Sequence, residues 1–111
     1  MIEKTILSLI KGGDVLFKYP LKAYFGDFSK NGEPVFVVSV PKRNFKRAVK
    51  RNLLKRRIRE AYRLEKASLS SEGKDIMIVY IGEKVESYEK ISESVSHILK
   101  EIGGLASGQT D

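Results

Sequence analysis

Ile2, Ile6, Leu9 and Ile10 recur at the three- and four-residue spacing of a single helix face, and Gly12-Gly13 follows directly. This spacing predicts a short helix over residues 3–11, closed where two glycines let the chain turn away. "YPLKAYFGDF" then alternates and is rich in aromatics, which predicts a strand over 20–28. Asn31-Gly32 in "KNGEP" predicts a tight hairpin behind it. "PVFVVSV" is a continuous apolar run, the pattern of a strand covered on both faces, and these two strands are expected to pair antiparallel. A further short strand fits around Val15 to Lys18.

From about Asn44 to Ser68 the chain has neither glycine nor proline and consists mostly of good helix formers, which predicts one long helix. Leu54, Ile58, Ala61, Tyr62 and Glu65 fall at i, i+4, i+7, i+8 and i+11, an apolar row with a polar end. Phe45, Val49 and Leu53 form a second row, so the helix is expected to meet the body along one row and a different element along the other. "SSEGK" breaks the pattern and "DIMIVYI" reads as another buried strand. Tyr88, Ile91, Val95, Ile98 and Ile102 then mark a last helix ahead of Gly103-Gly104. The expected fold is a single-domain α/β two-layer sandwich, a mixed sheet of three to four strands packed with helices, in the order helix, strand, strand, basic helix, strand, helix. It comprises one domain over residues 1–104 with a flexible tail over 105–111.

Composition agrees with one domain, since 111 residues that are 41% hydrophobic support one modest core and not two. With no cysteine, neither a disulfide framework nor a cysteine-type zinc site is available, and a reducing cytoplasm is the expected setting. The apolar start is too short to span a bilayer and lacks the basic start and cleavage site of a secretory signal, so no membrane association is expected.

Charge changes the picture more. The chain carries +7, but residues 42–63 hold eleven cations against Glu60 alone, a local charge of +10, so the remainder sums to −3. All seven arginines lie in that window. A concentrated field rich in guanidinium groups points to a polyanion, because those groups bind phosphate bidentately and stack on bases. A charge run is more commonly a solvated face, but here the acids that would pair at i+4 are nearly missing. Arg47, Arg51, Lys55 and Arg59 follow one another at i+4, and Asn52, a weak helix former, falls among them. A DNA-reading basic helix normally comes with a dimerising zipper or a helix-turn-helix, and neither is visible, so RNA is favoured.

Hydrolytic chemistry has few candidates. His97 is the only histidine and has no motif around it. Asp27, Glu33 and Asp75 sit at strand ends without a spacing that would place two on one face, and there is no phosphate-cradling glycine loop and no HExxH. No catalytic residue and no metal site is assigned to this chain, and a free-standing endonuclease is poorly supported.

The stretch "SVPKRNFKRAVKRNLLKRRIREAYR", Ser39 to Arg63, resembles the signature of the protein subunit of bacterial ribonuclease P. The likeness lies in Lys42-Arg43, Arg47-Ala48, Arg51-Asn52, Lys55-Arg56 and Arg59-Glu60, and the order of elements is similar too. It implies the family's fold, shared with a domain of a small-subunit ribosomal protein, with a left-handed crossover through the basic helix. It also implies a division of labour in which a catalytic RNA subunit, with Mg²⁺ bound mainly by that RNA and the substrate, cleaves precursor tRNA to the mature 5′ end. The protein would bind that RNA through Lys42, Arg43, Lys46, Arg47, Lys50, Arg51, Asn52, Lys55, Arg56 and Arg59. A cleft between the first helix and the sheet would hold the 5′ leader, with Tyr24, Lys22, Ile6 and Ile10 lining it. Two departures stand out. Leu53 replaces a third basic residue after the asparagine, and little basic sequence precedes the first helix, so contacts attributed to such an extension are not expected. The resemblance further implies a monomer in a 1:1 complex with the RNA and no small-molecule substrate. The alternative reading is a ribosomal or other structural RNA-binding protein without a processing role.

Overall fold

The computed structural model describes residues 2–27, 35–66 and 75–107, with side chains described for 6–27, 35–65 and 75–103. Its elements are α1 (Ile2–Gly12), β1 (Asp14–Lys18), β2 (Leu21–Gly26), β3 (Phe36–Ser39), α2 (Ala48–Lys66), β4 (Asp75–Tyr80) and α3 (Tyr88–Ser107). The sheet order is β1-β2-β4-β3, antiparallel except for the parallel pair β3 and β4 that α2 connects. The expected α/β sandwich is therefore present, with the fourth strand included.

The strand pairing differs from the sequence reading. β2 does not pair with β3; it lies between β1 and β4. Tyr19-Pro20 closes a two-residue turn that pairs Phe17 with Lys22 and Lys18 with Leu21, and so short a loop makes this hairpin the cheapest contact available to β2. β4 takes the other edge of β2, which leaves β3 outermost and half-buried, not covered on both faces. The Asn31-Gly32 turn lies outside the described residues. Two helix ends also differ. α2 starts at Ala48 instead of Asn44, and α3 runs through Gly103-Gly104 to Ser107, taking in the first three residues of the expected tail.

Alternation along the strands divides the sheet into two unlike faces. Leu21, Ala23 and Phe25 of β2 stand opposite Tyr80, Ile78 and Ile76 of β4, and all six are buried. They pack with Val38 of β3, with Leu54, Ile58 and Ala61 of α2, and with Ile91, Val95, Ile98, Leu99 and Ile102 of α3 in one core. The other face carries Val15, Phe17, Lys22, Tyr24, Met77, Val79 and Val37. α1 lies against β2 and β4, and its Leu9 is fully buried yet stands apart from that core, so α1 closes over one end of the second face. Gly13 makes this approach possible, because a Cβ there would come 2.7 Å from the Leu9 carbonyl oxygen and 3.0 Å from that of Phe25.

Polar contacts tie the segment 81–87 to three neighbours. The Tyr80 hydroxyl donates to the Lys84 carbonyl at 2.6 Å and accepts from the Glu86 amide at 3.0 Å. Arg57 Nη1 donates to the Glu86 carbonyl at 2.6 Å, and the Ile81 amide donates to the Pro20 carbonyl at 2.8 Å. At the other end of β4, Asp75 Oδ1 accepts from the Val35 amide at 2.8 Å, which pins the entry to β3.

Tyr80→Phe removes both hydroxyl contacts and should lower stability by about 1–2 kcal/mol in urea unfolding. Burial pushes the Tyr80 phenol, and likewise that of Tyr62, above the ordinary value of 10.0. The folded state thus favours the protonated phenols, and this contribution is complete below that value and lost as pH rises through the raised folded ones. Unfolding midpoints should therefore hold up to about pH 10 and fall beyond it, with a smaller fall in Tyr80→Phe.

Candidate nucleic-acid interface

Two surfaces carry the candidate residues. The first is α2 with the segment leading into it. Lys42, Arg43, Lys46, Arg47, Lys50, Asn52, Arg56 and Arg59 are exposed, while Arg51 and Lys55 are half-buried. Phe45 anchors the leading segment in the core, its ring edge-on to Tyr80 with centroids 5.6 Å apart. Arg51 Nη1 donates to the Phe45 and Lys46 carbonyls, at 2.8 Å each. Arg51 is thus a clamp that holds the turn presenting Lys42, Arg43, Lys46 and Arg47, and it keeps its charge while doing so. Arg57 is spent on the Glu86 carbonyl, and Arg63 pairs with Glu60 at 2.6 Å on the surface, where such a pair adds little. The expected second apolar row does not form as a helix face: Phe45 precedes the helix, Leu53 is half-buried and Val49 is 78% exposed. The first row holds, with Leu54, Ile58 and Ala61 buried and Tyr62 stacked on Phe36 at 3.7 Å.

No acid occupies the first turn of α2, so its positive dipole end adds to the cations around it. Asn44, Phe45, Lys46, Arg47 and Lys50 line a groove of about 360 Å³ together with Glu83, Lys84 and Val85. The Asn44 side-chain amide donates to the Gly82 carbonyl at 3.4 Å.

The second surface is the open sheet face. Lys22 Nζ lies 4.9 Å from the Tyr24 ring centre and 5.3 Å from that of Phe17, a cation flanked by two aromatic faces. Ile10, with Leu7 beside it, is exposed at the α1 side and Ile6 is half-buried. Sequence reasoning missed Phe17, which is 65% exposed. The signal was present: Val15 and Phe17 alternate ahead of a two-residue turn, and such a turn places Phe17 opposite Lys22 and Val15 opposite Tyr24.

The remaining candidates do not converge. Asp27 is exposed, Asp75 is buried in its contact with Val35, Glu33 lies outside the described residues, and His97 is exposed on α3. Among the described residues no three of His, Cys, Asp and Glu come together as metal ligands, and no helix is long and apolar enough to cross a membrane.

A cation-rich helix mounted on a small α/β sandwich, with a separate open face of aromatics around a lysine, defines an RNA-binding protein of this fold class. The family model for Ribonuclease P matches residues 3–103, and the chain belongs to that family. It is 30% identical over 111 residues to the Ribonuclease P protein component of Porphyromonas gingivalis, covering 93% of this chain and 81% of that one. The solved RNase P protein of Staphylococcus aureus superposes with a TM-score of 0.71 at 26% identity, over 88% of each chain. That of Thermotoga maritima superposes with a TM-score of 0.74 at 24% identity, over 92% of this chain and 94% of that one, a likeness of fold.

The geometry separates clamp from contact. Arg59→Ala should leave urea unfolding unchanged and reduce the slope of log K for RNA against log salt by about 0.7–0.9. Arg51→Ala should weaken RNA binding and also lower stability by about 1–3 kcal/mol, since two carbonyls lose a charged donor. For the intact chain, with on the order of five phosphates contacted, the slope should be roughly −3 to −5; a slope near zero contradicts an electrostatic interface.

Proposed function

We propose that this chain is the protein component of a cytoplasmic ribonuclease P ribonucleoprotein, one protein to one catalytic RNA, acting in removal of the 5′ leader from precursor tRNA. The observation that carries the reading is the separation of two surfaces on one rigid domain: a cationic helix suited to a folded RNA, and an aromatic face suited to a single strand. α2 and residues 42–47 would neutralise phosphates of the catalytic RNA, with Arg51 holding the turn in place. The leader would run between α1 and the β1–β2 hairpin. There Tyr24 and Phe17 offer stacking faces, Lys22 meets a phosphate, and Ile6 and Ile10 supply apolar contact without a π-face. Mg²⁺ would be held by the RNA and the substrate and would supply the nucleophile and charge stabilisation for cleavage. The chain's own part would be to bind and orient.

The test is reconstitution with a ribonuclease P RNA and precursor tRNA at low Mg²⁺. Stimulated 5′ cleavage only when RNA and protein are both present supports the reading. Binding of the RNA without any stimulation would favour a structural RNA-binding protein instead, and cleavage by the protein alone would overturn the assignment of catalysis to RNA.

Stacking on one base is worth about 1–3 kcal/mol. In complex with the catalytic RNA, Tyr24→Ala should therefore weaken binding of precursor tRNA about 5- to 150-fold and leave leaderless mature tRNA almost unchanged. Phe17→Ala should act in the same direction. Equal losses for the two tRNA forms would mean that these rings support only the fold.

A further inference from the structure

We propose that the corner formed by Tyr19, Ile81, Lys84 and Lys90 is a second seat for an unpaired nucleotide, separate from the Phe17, Lys22 and Tyr24 face. The inference rests on the reading of this chain as the RNA-binding subunit. Tyr19 is 48% exposed and Ile81 is 37% exposed, so an aromatic and a branched aliphatic side chain both meet solvent here. Yet Tyr19 is firmly held. Its hydroxyl donates to Glu86 Oε2 at 3.1 Å and its carbonyl accepts from Ser94 Oγ at 2.7 Å. A half-exposed ring fixed at both ends loses little further freedom when a base stacks on it. Lys90 Nζ stands 5.6 Å from the ring centre.

Tyr19, Ile81, Glu83 and Lys84 line a groove of about 480 Å³. Glu83 and Lys84 also border the groove of Lys46, Arg47 and Lys50, so the two hollows are neighbours that share a wall. A strand whose phosphates lie along the start of α2 would pass Lys84 to reach the Tyr19 ring, with Glu83 also lining that path. Of the two carboxylates nearby, Glu86 is engaged by the Tyr19 hydroxyl, while Glu83 lines the groove next to Lys84 in the chain. An aromatic plane with lysines around it matches a base with its phosphates. An apolar peptide would instead have to strip water from Lys84 and Lys90 with nothing in return. The two seats cannot be one, because Phe17 stands on the open face beside Lys22, whereas the partners of Tyr19 belong to the 81–87 segment and α3.

The unpaired nucleotide could belong to the catalytic RNA or to the leader, and binding measurements on the full chain distinguish them. Tyr19→Ala, Tyr19→Phe and a Lys84→Ala, Lys90→Ala double variant are titrated with a ribonuclease P RNA alone, and then, as complexes with it, with precursor tRNA; unfolding is followed for each. Tyr19→Ala should weaken one arm about 5- to 150-fold while Tyr19→Phe, which keeps the ring but not its Glu86 contact, loses clearly less. The double variant should lower the salt slope in that same arm by roughly one to two units. A loss already present with the RNA alone places the nucleotide in the catalytic RNA, and a loss confined to precursor tRNA places it in the leader. Parent-like binding of all three variants in both arms overturns the seat, as does a Tyr19→Phe defect as large as that of Tyr19→Ala. If the parent chain itself fails to bind the RNA, the function proposed above falls and the seat falls with it.

Discussion

The cations of α2 hang from the buried stripe of Leu54, Ile58 and Ala61 on that helix. Burying a large aliphatic side chain contributes about 1.5–3 kcal/mol, so the leucine and isoleucine alone contribute roughly 3–6 kcal/mol. Against them stands repulsion along the i+4 row of Arg51, Lys55 and Arg59, about 0.2–0.5 kcal/mol for each of its neighbouring pairs. The stripe wins by a clear margin. A helix that carries so much like charge can therefore stay folded on the sheet before any RNA arrives, and neutralisation by phosphates becomes a gain on binding and not a condition for folding.

The arginines of this segment are not equivalent. Arg51 and Arg57 turn their guanidinium groups onto backbone carbonyls of segments that flank the helix, at 2.6–2.8 Å. Each satisfies polar backbone without being neutralised, so it still adds to the positive field while it shapes the loops. Lysine would manage this less well, because its ammonium is more strongly hydrated and its flexible stem is less preorganised than the planar guanidinium. Arg43, Arg47, Arg56 and Arg59 remain exposed and available to a polyanion. Charge density marked the segment, but only geometry divides it into braces and contacts.

Local signals were legible and long-range ones were not. The row Leu54, Ile58, Ala61 and the shared face of Lys22 and Tyr24 follow from periods of 3.6 and 2, which depend on neighbours in sequence alone. The partner of β2 was misread because apolar runs state that a strand is buried, not what lies beside it. Pairing with β1 is decided by the short turn at Tyr19-Pro20, and pairing with β4 across α2 by tertiary packing. The start of α2 was misplaced for a related reason. Residues 44–47 have the composition of helix, but burial of Phe45 and the Arg51 clamp hold them in another conformation. Glycine was overvalued as a stop at Gly103-Gly104, where the helix continues. Its cost there is about 1 kcal/mol per residue, small beside the burial of Ile98, Leu99 and Ile102 just before it.

The division into two surfaces bears on how weak contacts can matter. An isolated stacking face of one or two aromatics supplies only a few kcal/mol, too little to hold a single strand at low concentration. On the function proposed above, the domain would already be bound to a large RNA through α2, the same face would meet a leader on a substrate gripped by that RNA, and the encounter would become intramolecular. Effective concentrations in such arrangements reach the millimolar range, so a contact of a few kcal/mol suffices to tip the equilibrium. The arrangement works only if the two surfaces keep a fixed relation. Here the link is short and stiff: Tyr24 lies on β2, β2 pairs with β4, and Ile78 and Tyr80 of β4 pack in the same core as Leu54 and Ile58 of α2. The open sheet face and the cationic helix are thus two sides of one packed layer. On that same proposal, any change that loosens the core between them should weaken substrate discrimination before it weakens RNA binding, because the helix contacts would need no partner surface whereas the leader contacts would depend on where the helix has placed them.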